Sequence, residues 1–125
     1  MSITRLTPTE QQQHVGDYYS AAWTADSSSA NKAVLSDTIT LPAGTYVVSI
    51  LLPYISTSVF YCSLFNASTN DIVNGKWFHG GGSSSSKTSI LKLTAQTSVR
   101  ICASQSATCT FSYKERGGLV AVRLA

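Results

Sequence analysis

Hydrophobic and polar residues alternate with a period of two along most of this chain. The clearest run is 36–54, whose second half has one wholly apolar face: Tyr46, Val48, Ile50 and Leu52. Successive residues of a strand point to opposite faces of the sheet, so this run predicts a strand that buries one face. The tight Leu41-Pro42-Ala43-Gly44 connection separates it from a preceding strand.

Similar segments fill most of the remaining chain, and Gly/Ser/Asn-rich turns separate them. No long helical periodicity is present. Further strands are predicted at 18–25, 32–40, 59–65, 88–93, 99–103, 108–113 and 119–124, and the Asn74-Gly75 pair favours a tight hairpin turn between the short segments 72–73 and 76–79. Many short strands with turns between them are typical of a sandwich or barrel. We therefore expect an all-β fold, a jelly-roll β-sandwich of about eight to nine antiparallel strands, over residues 18–125.

Residues 1–17 differ from the rest because they are polar and rich in Gln. Thr7-Pro8-Thr9-Glu10 has the form of a capping box with proline at the first helical position. This pattern predicts a short helical turn over 8–15 that ends at Gly16. Since so short a helix is marginal in isolation, the segment is either an N-terminal arm that docks on something or a disordered leader.

Charge and surface pattern favour an assembly over an isolated subunit. Charged residues make up 12% of the 125-residue chain, about half the usual ~25%, and hydrophobic residues make up 43%. The second faces of several strands are also too apolar for open water. A symmetric oligomer would bury them, and the candidate interface residues are Val47, Leu51, Val59, Tyr61, Leu119 and Ala121.

Several classes of partner are disfavoured. The net charge of +3 is spread along the chain without a basic stripe, so we expect no nucleic-acid partner. No apolar run approaches the ~20 residues of a membrane span, and no signal peptide is visible, so we expect neither membrane insertion nor secretion. The three cysteines lack metal-ligand spacing and are expected to be reduced, although Cys102 and Cys109 could pair across a hairpin.

Catalysis is not indicated by any motif. Residues 81–88, GGSSSSKT, resemble a phosphate-binding loop, but Ser86 replaces its second glycine and a strand-like segment follows. His14 and His79 are the only histidines, and the six acids are scattered. Nucleophilic catalysis needs a base beside the nucleophile, and hydrolysis by paired carboxylates needs two positioned acids. We expect no enzymatic activity, no cofactor and no metal site.

One segment could bind a ligand. Lys76, Trp77, Phe78 and His79 lie beside the glycine- and serine-rich stretch 80–86. Exposed aromatic side chains in such a loop can stack on a sugar or anchor in a partner's pocket. The alternative is that Trp77 and Phe78 are strand residues that close one end of the sandwich. The first reading would make the protein a carbohydrate- or protein-binding module that acts through surface loops.

The order of several segments resembles the complement-head and tumour-necrosis-factor-like jelly-roll family. The similar segments are YYSAAWTA, PAGTYVVSI, VFYCSLFN, ILKLTAQTSVRICA and TFSYKERGGLVAVRLA, within 18–125. Two positions depart from the family pattern: Gln96-Thr97-Ser98 replaces a Gly-Asp turn, and Gly117-Gly118 replaces an aromatic-Gly pair. The resemblance implies a jelly roll that assembles as a homotrimer, with the last strand near the three-fold axis.

Trimeric jelly rolls without a collagen-like stalk also occur among the virion proteins of tailed phages. The Ser/Thr/Gly-rich composition and the Leu-Val-Ala-Val-Arg-Leu ending resemble that group. The resemblance implies a non-enzymatic phage or prophage virion protein, a head decoration, tail or fibre component. Its partners would be other virion proteins, or a cell-surface glycan or protein.

Overall fold

The computed structural model describes residues 15–57, 60–73, 86–105 and 108–125. These residues form an all-β structure with one short 3-10 turn, Lys114–Arg116. The strands are β1 (Tyr18–Ala22), β2 (Ser27–Ser28), β3 (Ile39–Leu41), β4 (Gly44–Leu51), β5 (Tyr54–Ile55), β6 (Cys62–Asn66), β7 (Asp71–Ile72), β8 (Ser86–Leu93), β9 (Thr97–Ala103), β10 (Cys109–Ser112) and β11 (Gly118–Arg123).

The strands form three sheets in which every pair is antiparallel. The front sheet has the order β1-β11-β4-β8, and the back sheet has the order β3-β9-β6-β7. A third sheet, β2-β10-β5, contains three short strands. The prediction of an all-β sandwich is confirmed.

The core is a continuous cluster of apolar side chains from all three sheets. Tyr46, Val48 and Ile50 are fully buried and Leu52 is nearly so, as the alternation in 36–54 predicts. From the back sheet come Leu64, Val99 and Ile101 among others. Three aromatic side chains, Trp23, Phe60 and Phe111, pack edge to face, with ring centroids 5.0 Å and 5.3 Å from Phe111.

The segment before β3 ties the front sheet to the back sheet. The Leu35 N–H donates to the Ile101 carbonyl (2.9 Å), and Trp23 of the front side forms a β-bridge with Ser36. The Ser36 hydroxyl accepts a hydrogen bond from the Ile101 N–H (2.8 Å). In this segment Leu35 is fully buried, whereas its neighbour Val34 is 46% exposed.

Several strand boundaries differ from the predicted ones. The short strands β2 and β5 lie in segments that were expected to be connections, because two residues are too few for an alternating pattern. The predicted strand 32–40 is regular only over Ile39–Leu41, and β6 begins at Cys62. The short segment 76–79 of the predicted hairpin and most of the arm 1–17 lie outside the described residues.

Candidate assembly interface

The outward surface of the front sheet is the candidate site that the described residues form. Antiparallel register places one residue from each strand in line across the sheet. Tyr18, Val122, Val47 and Ile90 make such a line, and all four are apolar or aromatic. We call this set the apolar row. Tyr18 is 63% exposed and Ile90 is 52% exposed, whereas the two valines between them are half-buried.

The next line across the same surface is small and hydroxyl-rich. It consists of Ser20, Val120, Ser49 and Thr88. The Ser49 and Thr88 hydroxyls are 2.9 Å apart and hydrogen-bond to each other. Because these hydroxyls satisfy one another and their side chains are short, another protein surface can approach this part of the sheet closely.

Charge is nearly absent from this outward surface. Of the side chains that β1, β4, β8 and β11 direct outward, Lys92 alone is charged. Interface centres are depleted in charged residues, as this surface is. The surface is therefore suited to contact with another protein surface.

A shallow depression of about 290 Å³ lies at one end of this surface, between β1, β11 and the 3-10 turn. Its floor includes Ala22, Gly118 and Leu51, which are aligned across the sheet, and Lys114 and Glu115 lie at its rim. Gly118 has φ +149, and a Cβ there would lie 2.6 Å from the Ala21 carbonyl oxygen. Glycine is thus required at this position, and the absence of its side chain helps to form the depression.

Two of the predicted interface residues lie on this surface. Val47 belongs to the apolar row, and Leu51 lines the depression. Tyr61 is 40% exposed but precedes β6 of the back sheet, so it does not belong to this surface. Val59 lies outside the described residues.

The prediction that Leu119 and Ala121 lie between subunits is wrong. Leu119 is 1% exposed and Ala121 is fully buried, because both pack into the core of the chain itself. The outward residues of β11 are Val120 and Val122. Both faces of this strand are apolar, so alternation alone could not decide which one faces inward.

Sequence reasoning missed Tyr18, Val122 and Ile90 as members of the outward surface. Each lies in a strand, and the period-two pattern assigns it only to one of the two faces of that strand. Their alignment into one row depends on the pairing of strands that are far apart in sequence, such as β1 with β11. The local pattern has no information on that pairing.

The predicted ligand-binding loop, Lys76, Trp77, Phe78 and His79, lies outside the described residues. Among the residues that are described, no three His, Cys, Asp or Glu side chains come together as a metal site requires. No helix in that part of the chain is long and apolar enough to cross a membrane.

The three cysteines are free and buried. Burial raises the pKa of the Cys102 thiol above its ordinary value, and the nearby Arg100 offsets part of that rise. Burial also raises the pKa of the Cys109 thiol. A raised pKa keeps a thiol protonated, and the protonated form is the poor nucleophile. Cys102 and Cys109 lie on β9 and β10 of different sheets.

Comparison with protein-family models, curated proteins and solved structures finds no match to this chain.

Proposed function

We propose that the protein is a non-enzymatic structural component of a tailed-phage virion that assembles as a homotrimer through the outward surface of its front sheet. The observation that carries the proposal is the apolar row, which crosses all four strands and reaches half exposure at both ends. A monomer rarely leaves a contiguous apolar patch of this kind in water. A cyclic trimer buries it by packing the row of each copy against a neighbouring copy around the three-fold axis.

The proposed architecture is a jelly roll. The strand order supports it, because the chain changes between the front and back sheets at each step from β3 to β4, β4 to β6, β7 to β8 and β8 to β9. Frequent crossing between two antiparallel sheets is the property that separates such double-sheet folds from simple meanders. The resemblance to trimeric jelly rolls supports three-fold symmetry and a virion role.

The state of assembly is measured on the full chain by sedimentation equilibrium at micromolar concentration. We expect three times the 13.3 kDa mass of one chain. Ile90→Asp places a charge at the exposed end of the apolar row and should lower the mass to that of one chain. Burying an unpaired charge in an interface is strongly unfavourable.

Thr110→Asp is the matched control, because Thr110 is an exposed strand position in the third sheet, away from the apolar row. It should leave the mass unchanged. A wild-type chain that sediments as a monomer would contradict the trimer, and a trimer that survives Ile90→Asp would contradict this choice of surface. Co-purification with capsid or tail particles tests the virion role separately.

A further inference from the structure

The outer edge of β8 differs from every other sheet edge in its length. The other edge strands, β1, β2, β3, β5 and β7, contain two to five residues, whereas β8 contains eight. At about 3.3 Å per residue its edge extends for about 26 Å. Proteins normally keep edge strands short, since an open edge is a template for another strand.

This edge has no strand beside it in the part of the chain that the structure describes. β8 pairs with β4 along its whole length, from Leu51 opposite Ser86 to Gly44 opposite Leu93. No backbone hydrogen bond outside that pairing involves 86–93 among the described residues. The opposite edge of the front sheet is partly closed, because the Asp37 N–H donates to the Ala22 carbonyl at the end of β1.

The charge on β8 indicates the kind of strand that it can accept. The strand has the sequence SKTSILKL, with two lysines and no acid. Lys87 is exposed and makes no ion pair with a described residue. Like charges directly opposite each other in a sheet are unfavourable and opposite charges are favourable, so an acidic strand fits this edge.

The alternation along β8 defines the partner further. Ile90 is directed outward and is 52% exposed, and Lys87 is directed to the other face and is also exposed. A partner strand that pairs antiparallel with β8 therefore carries an apolar residue opposite Ile90. Three positions later it carries an acid opposite Lys87. The apolar residue would continue the apolar row by one strand.

We propose that the β8 edge binds an extended acidic segment of another protein by adding it to the front sheet as a fifth strand. Main-chain hydrogen bonds supply affinity in this mode, and the alternate side chains supply specificity. The partner adds in the plane of the sheet, whereas the proposed trimer contact lies on its outward surface. The two proposals therefore use different groups, the backbone edge of β8 and the outward side chains of the sheet.

The probe is a fluorescein-labelled peptide of sequence Thr-Val-Val-Thr-Thr-Glu-Thr, titrated into the full chain and followed by fluorescence anisotropy. Amide hydrogen exchange of 86–93 is measured at the highest peptide concentration. We expect saturable binding and slower exchange at alternate amides of β8, those directed away from β4. Lys87→Glu should weaken binding about fivefold, the effect of an exposed cross-strand charge pair turned repulsive.

Three controls accompany the peptide titration. Arg116→Glu changes the net charge equally at the 3-10 turn that precedes β11, which β4 separates from β8, and should leave binding unchanged. A peptide with proline at its fifth position, opposite Thr88, should not bind, because an N–H at that position would point at β8 and proline has none. A peptide with lysine for glutamate should bind Lys87→Glu better than it binds the wild type.

Absence of protection in 86–93 would overturn the proposal, and so would equal binding of the proline peptide. Protection of β8 that rises with protein concentration in the Ile90→Asp chain, in the absence of peptide, would overturn it too, since a second copy would then occupy the edge although the proposed trimer contact is lost. Sedimentation of the same samples reports the assembly separately, so failure of one proposal is distinguishable from failure of the other.

Discussion

The inward and outward surfaces of the front sheet are made by the same strands and are both apolar, but the fold covers only one of them. On β4, Val48 and Ile50 are fully buried, whereas Val47 between Tyr46 and Val48 is partly exposed. The inward side chains are covered by the back sheet of the same chain. The comparison teaches that apolar character alone does not separate residues needed for folding from residues available for assembly.

The largest expected effect separates the two surfaces directly. Ile50→Ala removes a fully buried side chain and should lower the free energy of unfolding by about 2–5 kcal/mol, because it leaves a cavity in the core. Ile90→Ala is the matched change on the outward surface and should cost the single chain less than about 1 kcal/mol. Urea denaturation with a common m-value measures both. Equal losses would contradict the assignment of the two surfaces.

A second pair of variants compares the tyrosines of the two surfaces. The Tyr46 hydroxyl donates to the Pro42 carbonyl (2.7 Å), so Tyr46→Phe leaves that carbonyl without its partner and should cost about 1 kcal/mol. Tyr18 is 63% exposed, so Tyr18→Phe should be nearly neutral. Thermal unfolding at fixed protein concentration checks this. A neutral Tyr46→Phe would show that water replaces the bond without cost.

A smaller effect is expected for the hydroxyl pair of the outward surface. Ser49→Ala removes its exposed hydrogen bond to Thr88 and should change the free energy of unfolding by a few tenths of a kcal/mol, since water satisfies the remaining hydroxyl. Ser36→Ala removes the hydroxyl that accepts a hydrogen bond from the buried Ile101 N–H. It should lower the free energy of unfolding by about 1–3 kcal/mol. If the order of these losses were reversed, burial would not be the deciding factor.

The last predicted effect is a loss of stability at alkaline pH, and it is absent at neutral pH. Burial raises the pKa of Tyr46, Cys102 and Cys109, so each binds its proton more tightly in the folded than in the unfolded chain. Stability is unchanged below the unfolded pKa values and falls as the pH rises through and above them. Denaturation in urea at pH 7 and pH 10 should show a lower midpoint at pH 10. A midpoint that rises with pH would contradict it.

The inward surface of the front sheet could be predicted well from the sequence. The alternation of Tyr46, Val48, Ile50 and Leu52 is strict, and no other arrangement hides four such side chains on a strand. Local pattern therefore identified β4, β9 and β10 close to their observed positions. It could not identify the two-residue strands β2 and β5, whose existence depends on a partner.

The outward surface of the front sheet could be predicted only in part. Val47 and Leu51 were placed outward because their own strand has an unambiguous inner face. Leu119 and Ala121 were misplaced because β11 is apolar on both faces, and a register shift of one residue exchanges the two. The positions of Tyr18 and Ile90 beside these residues required the pairings of β1 with β11 and of β4 with β8.

By itself, the sequence determined the class of the fold, because the period-two pattern is a local property of each strand. It also determined that charge is scarce. Only the tertiary structure decided which apolar face is covered, which residues align into the apolar row, and which strand forms a long sheet edge among the described residues. Those properties depend on contacts between segments far apart in the chain, since antiparallel pairing brings β1, β4, β8 and β11 into one sheet.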